Sequence, residues 1–281
     1  MNEILQITFK ISVSVFVIGS MLGMGLGLTV KQIVDPLKDA KLVILSLIAN
    51  FIIVPLFVYG ITMLLPLSEG YKIGLILLSI SAGAPFLPKL ADIAKSNVPF
   101  SIGLMLLLMV VTIFYLPLVL PFLLKGAEVS SWEIAKSLII MMLSPLIIAL
   151  LVRAYAEKIA KVLKNIFEKL TNIALILLTI SLVALNAKHL VGMFGMPLVA
   201  ILLLLIGAML IGYFLSGKDK ATKIVSALGT GQRNISAAIL VATQNFKDPE
   251  VTIMLVAVSI FGLFIMMPYA KKMGTKQISQ N

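Results

Sequence analysis

The chain alternates long apolar blocks with short polar clusters, and this pattern predicts its helices. Two of the blocks, residues 42–66 and 98–124, contain no charged residue. Each is longer than the roughly 20 residues that a helix needs to cross the hydrocarbon core of a bilayer. The chain shows no segments of alternating apolar and polar residues, as the strands of a transmembrane β-barrel would. The pattern therefore predicts an all-α polytopic membrane protein.

Division of the chain at its charge clusters predicts nine transmembrane spans. They cover residues 5–29, 42–65, 71–95, 97–124, 132–152, 170–187, 195–215, 221–243 and 251–270. One amphipathic connector, residues 31–41, contains Asp35 and Pro36. Another, residues 153–169, is predicted to be a short basic helix along the membrane surface. The apolar block at residues 11–30 is too long for the core of a signal peptide and is predicted to be a retained first span.

Lysine and arginine collect on one side of the predicted membrane. Fifteen lie in the connections of one side: Lys31, Lys38, Lys41, Lys95, Arg153, Lys158, Lys161, Lys164, Lys169, Lys218, Lys220, Lys223, Lys271, Lys272 and Lys276. Five lie in those of the other: Lys72, Lys125, Lys136, Lys188 and Lys247. Cytoplasmic loops carry an excess of positive charge. We therefore predict a cell-membrane protein whose N-terminus is outside and whose C-terminus is cytoplasmic.

Composition narrows the classes of function. Hydrophobic residues make up 60% of the chain and charged residues 12%, against about 25% charged residues in a soluble domain. The net charge of +11 sits in clusters without interleaved aromatic residues, so no nucleic-acid partner is expected. Cysteine is absent, and the single histidine, His189, has no metal-ligand spacing around it. We expect no enzymatic activity, cofactor or metal site, and the oligomeric state is not predicted.

The third and eighth spans contain residues that interrupt a helix. The third carries Gly83, Pro85 and Pro88, and the eighth carries Gly229 and Gly231. Proline lacks a backbone donor and cannot sit inside an unbroken helix. Irregular backbone at membrane depth is tolerated only where it lines a cavity or is buried in protein. Two interrupted spans at corresponding places in two halves are typical of the substrate site of a secondary transporter.

The order of the spans suggests an internal repeat. In each half of the chain, the interrupted span is followed by one long span that ends the half. The two copies would run in opposite directions through the membrane, as in an inverted-topology repeat. We predict one transporter domain with repeats at about residues 5–124 and 132–270.

Four of the charged residues inside the predicted spans are candidates for a functional or structural role. Lys10 lies near the outer end of its helix, where its side chain can reach the interface. Lys89 and Asp92 lie one helical turn apart and can pair, either structurally or in gating or proton relay. Arg233 has no acidic neighbour in the sequence, and its guanidinium suits a carboxylate or oxyanion. We predict that Arg233 binds the anionic substrate, and the alternative is a structural cation that replaces a metal ion or caps half-helix carbonyls.

Neutral polar residues lie at a similar depth. They are Asn50, Thr230, Gln232, Asn234 and Ser236, and we predict that they help to bind the substrate. The half-helices that begin after each break would also direct free N–H groups at the site. The alternative for Asn50 is a hydrogen bond between helices, because a buried amide without a partner costs about 1–3 kcal/mol.

Four short segments resemble the bile acid:sodium symporter family. They are residues 26–31, residues 48–51 with Pro55, residues 95–98 and residues 231–234. The resemblance implies a core domain in which two broken helices cross, packed against a smaller panel domain. Movement of one domain against the other would then alternate access to the site. Members of that family that lack the leading helix have nine spans and an external N-terminus.

The resemblance also implies where two sodium sites would lie. One falls on Leu87, Pro88, Ser101, Met105 and Gly229, of which only Ser101 offers a side-chain oxygen, so this site is expected to be absent. The second falls on Asn50, Thr230, Gln232 and Arg233. A guanidinium has no lone pair to offer a cation, so we expect the charge of Arg233 to stand in for the ion.

Taken together, these features predict a secondary transporter of a small organic anion, coupled to protons or working as a uniporter, with sodium coupling only as the default that the family resemblance implies. One alternative is a receptor or sensor that uses the same fold without transport. Another is an inorganic oxyanion exporter of the arsenite type, although the cysteine of such exporters is lacking here.

Overall fold

The computed structural model describes residues 2–29, 31–32, 38–123, 130–186 and 192–278, and within these ranges every regular element is helical. In chain order the helices are α1 (Asn2–Gly27), α2 (Ala40–Leu64), α3 (Glu69–Ser79), α4 (Leu87–Ile93), α5 (Val98–Leu123), α6 (Ser131–Tyr155), α7 (Glu157–Leu185), α8 (Met196–Leu215), α9 (Lys220–Gly231), α10 (Ile235–Asn245) and α11 (Pro249–Ile278). Seven of them are long and apolar enough to cross a membrane, namely all except α3, α4, α9 and α10. The chain is therefore an integral membrane protein, as predicted.

The predicted interruptions of the third and eighth spans are confirmed. Helices α3 and α4 have 11 and 7 residues, and the chain between them is not helical. Helices α9 and α10 have 12 and 11 residues. None of the four alone reaches the roughly 20 residues that a transmembrane helix needs.

The separate basic surface helix predicted at residues 153–169 is wrong. Helix α6 ends at Tyr155, and α7 then runs without interruption from Glu157 to Leu185. The polar first turns hold Lys161 paired with Glu157 at 3.1 Å and Lys164 paired with Glu168 at 3.5 Å. Such pairs, one turn apart, support a helix. No glycine or proline breaks it before the apolar part begins.

Some predicted features lie outside the described residues. These are residues 33–37 of the first connector, which include Asp35 and Pro36, the cations Lys125 and Lys188, and His189. Nothing follows about them from the structure.

Helices α1, α6 and α7 form one packed group. Gly19, Gly23 and Gly27, one turn apart on α1, face α7, and Gly25 faces Ala149 of α6. A methyl group added at Gly25 would lie 2.6 Å from the Ala149 Cβ. Small residues permit such close approach, which is how helices pack within a bilayer.

The remaining helices form a second and larger group around the two broken spans. Within it α8 packs on α9, α11 packs on α3, and α4 packs on α5. The two groups meet mainly where α5 lies against α6 and where α10 lies against α1 and α6. The broken helices are therefore enclosed by one group and reach the other through α10.

The contacts of α11 with α3 and α4 give the length of the first broken span. A methyl group at Gly74 of α3 would lie 2.7 Å from Met254, and one at Gly274 of α11 would lie 2.5 Å from the carbonyl of Ile93 in α4. At 1.5 Å per residue, the part of α11 between these two contacts is about 30 Å long. Together, α3 and α4 thus extend over about the thickness of a bilayer's hydrocarbon core.

Candidate functional site

The first break is held against α5. The hydroxyl of Thr112 accepts a hydrogen bond from the N–H of Ala82 at 2.9 Å and donates one to the carbonyl of Ala82 at 3.0 Å. Gly83 has φ +80°, and a methyl group there would lie 2.6 Å from the Met105 carbonyl. Only glycine adopts this conformation without strain, and only glycine leaves room for the α5 backbone. The break is therefore a packed turn rather than a loose loop.

The second break is joined directly to the first. Helix α9 ends at Gly231, and Asn234 caps the start of α10 by accepting from the N–H of Ala237 at 3.1 Å. The backbone N–H of Asn234 donates to the carbonyl of Ser81 at 2.9 Å. The two irregular segments thus share a backbone hydrogen bond, which brings the predicted breaks together at one place.

Arg233 lies at this junction and is almost completely buried, with 5% of its surface exposed. Its Nε donates to the carbonyl of Leu78 at 2.9 Å, and Nη2 donates to that of Ser79 at 2.5 Å. Nη1 donates to Asn50 Oδ1 at 2.8 Å and to the carbonyl of Thr230 at 3.1 Å. Nη2 also reaches the carbonyl of Asn50 at 3.4 Å. These five contacts match the five N–H donors of a guanidinium.

The five oxygen acceptors around the Arg233 guanidinium form a cage, and Pro55 explains why α2 can contribute to it. Helix α2 contains a π-helical segment at Ala49–Ile53, directly before Val54 and Pro55. Pro55 has no N–H, so it cannot pair with the carbonyls four and five residues earlier, those of Phe51 and Asn50. The first accepts a hydrogen bond from the hydroxyl of Tyr115, and the second accepts from Arg233. Such π-helical segments are frequent at functional sites.

Asn50 is the neutral centre of the cage. It is fully buried, and its Nδ2 donates to the carbonyl of Ser46 at 3.0 Å and to Thr230 Oγ1 at 3.2 Å. Its Oδ1 accepts from Arg233. Both ends of the amide are therefore engaged within the protein, which supports the alternative that Asn50 forms hydrogen bonds between helices.

That Arg233 binds the substrate directly stays a prediction, and the contacts of its guanidinium bear on it. All five donors of its guanidinium are directed at protein oxygens, so none is left for a ligand in this arrangement. Three of the acceptors are carbonyls at the C-terminal ends of the half-helices α3 and α9, where the helix dipole is negative. The geometry favours the alternative reading, a cation that caps half-helix carbonyls. The sequence could not distinguish the two, because carbonyl acceptors occur at every residue.

Other polar groups at the second break are buried without a partner within the described part of the chain. They are the Nδ2 of Asn234 and the Oε1 of Gln232, and Asn234 is fully buried. Two residues further on, Ser236 Oγ lies 3.2 Å from Ser20 Oγ of α1. A buried donor without a partner costs about 1–3 kcal/mol. The break therefore offers a donor, an acceptor and a pair of hydroxyls beside α1.

The first site implied by the family resemblance is apolar. A methyl group at Gly229 would lie 2.9 Å from the Leu87 side chain and 3.2 Å from that of Leu104, and Met105 is buried. The Ser101 hydroxyl donates to the carbonyl of Val98 at 2.6 Å. Among the described residues, no group of three or more acidic, histidine or cysteine side chains is placed so that it could hold a metal ion. Hard cations require several oxygen ligands, and these side chains do not fit one.

The remaining predicted site residues either have a structural role or are not joined to one another. Pro88 occupies the first turn of α4, where its missing N–H costs nothing. Gly231 gives room to Met209 of α8. Lys89 and Asp92 are both exposed, and no ion pair joins them among the described residues, so the predicted pairing is not found. Their role in gating or proton relay stays a prediction.

Three residues of the site were missed in the sequence. Thr112 and Tyr115 hold the first break and the π-helical segment, and Ser20 faces Ser236. A signal existed for the first two, since a hydroxyl inside an apolar span must find a partner. Nothing in the local sequence identified Ser20 among the other serines.

Two open cavities lie away from Arg233. One of about 530 Å³ is a crevice between the first turns of α6 and the end of α10, lined by Glu133, Lys136, Met141 and Gln244 among others. The other, of about 1010 Å³, is a depression at the junction of α2 and α3. The first lies between α6 of one helix group and the last residues of α10 of the other, and α10 begins at its opposite end after Asn234.

Comparison with known proteins relates the chain to one family of transporters. The model of the Sodium Bile acid symporter family matches residues 14–193, which is more than half of the chain. The chain is 25% identical over 234 residues to the probable sodium/metabolite cotransporter BASS1, chloroplastic, of Arabidopsis thaliana, a match that covers 82% of this chain and 58% of the relative. It is 26% identical over 238 residues to the probable sodium/metabolite cotransporter BASS2, chloroplastic, of Oryza sativa subsp. japonica, covering 83% and 57%. The chain thus spans somewhat more than half the length of these relatives. The family match includes Asn50 and the first break and ends before the second.

Proposed function

Because the chain belongs to the sodium bile acid symporter family, we propose that it is a secondary transporter of a small organic anion. The anion would bind where the two broken helices meet and cross the membrane by alternating access. The observation that carries this proposal is the hydrogen bond between the two breaks, from Asn234 to Ser81, beside unpaired buried polar groups. Irregular backbone of this kind occurs at membrane depth where it lines a binding cavity.

The proposed architecture has nine spans. Seven are the long helices, and the other two are α3 with α4 and α9 with α10. The length of α11 between its contacts with Gly74 and Ile93 supports a full crossing for the first broken span. We propose that the repeats at about residues 5–124 and 132–270 are inverted copies and that the broken helices cross. The N-terminus would be outside and the C-terminus cytoplasmic, with the lysine-rich connections inside.

The two helix groups correspond, in this proposal, to the two moving bodies. The group of α1, α6 and α7 would be the panel domain, and the group around the broken helices would be the core domain. Their limited contact, through α5 and α10, is what a sliding interface requires. The crevice of about 530 Å³ between α6 and α10 lies on this interface. It would admit the substrate from outside.

The substrate would contact the second break rather than the guanidinium. Asn234 Nδ2 is a buried donor without a partner, and Ser236 and Ser20 add hydroxyls from the two sides of the interface. The start of α10 adds the positive end of a helix dipole. A carboxylate there would satisfy Asn234 and lie beside the charge of Arg233. Anion recognition would thus combine one direct donor with a nearby fixed charge.

We further propose that transport does not use sodium. The names of the family and of both relatives refer to sodium, but the side chains here do not fit it. Leucine and methionine side chains surround Gly229 at the first implied site. At the second, the oxygens that an ion would bind already accept hydrogen bonds from Arg233. A guanidinium offers donors only, so it competes with a metal ion for these oxygens.

Flux into proteoliposomes tests both the proposed anion transport and its proposed independence of sodium. A panel of radiolabelled acetate, pyruvate, succinate and taurocholate would be offered in sodium buffer and in choline buffer. We expect uptake of at least one anion, at the same rate in both buffers. Binding of an anion, seen as a thermal shift, without uptake or counterflow would refute transport and favour a receptor. Uptake that stops in choline would refute sodium independence alone.

Two variants of Arg233 test the proposed sodium independence more directly. Arg233→Gln removes the charge and leaves carbonyls that a sodium ion can bind, so its uptake is expected to require sodium. Arg233→Lys is the matched control, because it keeps the charge and up to three donors. It is expected to remain independent of sodium. Identical behaviour of the two variants in sodium and choline would contradict the role given to Arg233.

A further inference from the structure

The charge of Arg233 is buried without a counter-charge. Its five acceptors are four carbonyl oxygens and one amide oxygen, all of them uncharged. Among the described residues no carboxylate lies within ion-pair distance of it. Charged residues at membrane depth pair with one another or with backbone carbonyls, and they mark ion or substrate pathways. The carbonyls satisfy the donors of Arg233 but leave its net charge, which an anion from outside the chain would cancel.

We propose that the protein is an obligate exchanger of monovalent anions, which moves its site across the membrane only when one anion is bound. This inference rests on the proposed transport function and adds its stoichiometry, one anion in for one anion out. It does not follow from the family, whose named coupling ion is free to dissociate.

The first step of the argument is that the charge moves with the site. Arg233 joins Asn50 in α2, Leu78 and Ser79 at the end of α3, and Thr230 at the end of α9. All three helices belong to the larger helix group. The cage therefore has no bond to α1, α6 or α7 that would hold the charge in place while the larger group moves.

The second step concerns the empty carrier. A bound ion can leave at the end of each cycle, after which an empty site returns without charge. A covalently attached guanidinium cannot leave, so an empty site here carries one uncompensated positive charge. Placing a charged residue at the centre of a bilayer is unfavourable enough to slow such a return roughly a hundredfold. A bound monoanion cancels the charge and removes this barrier.

The third step identifies the anion's charge. Asn234 follows Arg233 directly and presents the unpaired buried donor Nδ2. An anion bound there would lie next to a single positive charge. One negative charge gives a neutral site, whereas a dianion would leave a net negative one. Monocarboxylates and monosulfonates are therefore the expected class of substrate.

Trans-stimulation in proteoliposomes tests the inference with the unmodified protein. Uptake of radiolabelled acetate, pyruvate, succinate or taurocholate is compared between vesicles preloaded with the same unlabelled anion and empty vesicles. We expect the initial rate in preloaded vesicles to be roughly a hundredfold higher, and the transported anion to be monovalent. Equal rates in both sets of vesicles would overturn obligate exchange and leave transport intact. No entry into either set would refute the proposed transport function itself.

A charge-neutralising variant adds a second test. Asn50→Asp places a carboxylate at the position of Oδ1, 2.8 Å from Arg233 Nη1 in the present structure. The empty site is then neutral, so uptake into empty vesicles is expected to reach the rate seen in preloaded ones. The matched control is Asn97→Asp, because Asn97 accepts from the N–H of Phe100 at 3.0 Å at the start of α5, and aspartate serves equally well there. This control should keep its dependence on internal anion. Dependence that persists in Asn50→Asp, with flux intact, would contradict the inference.

Discussion

Replacing Gly83 with alanine tests whether the first break is a packed turn. Gly83 has φ +80°, a conformation that costs a residue with a side chain about 1–2 kcal/mol. The added methyl group would also lie 2.6 Å from both the Met105 carbonyl and the Met109 Cα, where an ordinary contact needs more than 3.0 Å. Overpacking of this kind costs about 1–3 kcal/mol. The expected loss of stability is about 2–5 kcal/mol.

The loss would be measured as a lower temperature of thermal unfolding in detergent. Unfolding would be monitored by the decrease of the size-exclusion peak after heating. For a chain of this size, the expected decrease in the unfolding temperature is roughly 5–15 °C. The matched control is Gly60→Ala, because Gly60 is a helical residue of α2 around which an added methyl group meets nothing within 4 Å. It should be neutral, or stabilising by up to about 1 kcal/mol, since alanine is the better helix former. If Gly83→Ala unfolds at the same temperature as Gly60→Ala, the break does not have the close contact with α5 described above.

Two further predictions concern hydrogen bonds that fix the ends of the broken helices. Thr112→Val keeps the shape of the side chain but leaves the N–H and the carbonyl of Ala82 unpaired, at about 1–3 kcal/mol each; its unfolding temperature should fall clearly below that of Thr112→Ser, and equal values would contradict the role of the hydroxyl. Asp219 caps α9 by accepting hydrogen bonds from the N–H and from the hydroxyl of Thr222, both at 2.7 Å. The bond from the hydroxyl, and after it the bond from the N–H, lower the pKa of the Asp219 carboxyl group. Because the folded pKa lies below the unfolded value of about 3.9, the stabilisation is complete above that pH and is lost as the pH falls through the folded pKa. Asp219→Ala should therefore be less stable than the unmodified protein at neutral pH, by about 0.5–2 kcal/mol, and unfolding curves of the two at decreasing pH should converge below about pH 4.

The sequence predicted the breaks and their residues because glycine and proline act locally. Gly83, Pro85 and Pro88 interrupt a helix whatever surrounds them, and apolar length alone identified six of the seven long helices and the apolar part of α7. Arg233 was also recognisable as unusual, since charges are rare within apolar spans. These signals do not depend on the tertiary structure, so one sequence was sufficient for them.

The partners of Arg233 could not be predicted in the same way. Its acceptors are mainly backbone carbonyls, and every residue has one, so their identity depends on which helices meet. The carbonyl of Asn50 is a partial exception, because Pro55 five residues later withholds the N–H that would otherwise occupy it. The continuous helix α7 was missed for a related reason. Its polar first turns resemble a surface connector until the pairs with Glu157 and Glu168 are seen to be part of the same helix.

The positive charge at the junction faces the negative ends of two half-helices. The C-terminal end of a helix carries roughly half a negative charge, and α3 and α9 both end at Arg233. These ends are poles of dipoles without net charge, so they stabilise the guanidinium where it lies but leave the site with one net positive charge. A free cation would be stabilised there equally well, but it would come and go with the ion gradient, whereas Arg233 is always present. The same electrostatic requirement can thus be met by a coupling ion in one transporter and by a side chain in another, and the choice determines whether the empty site can return.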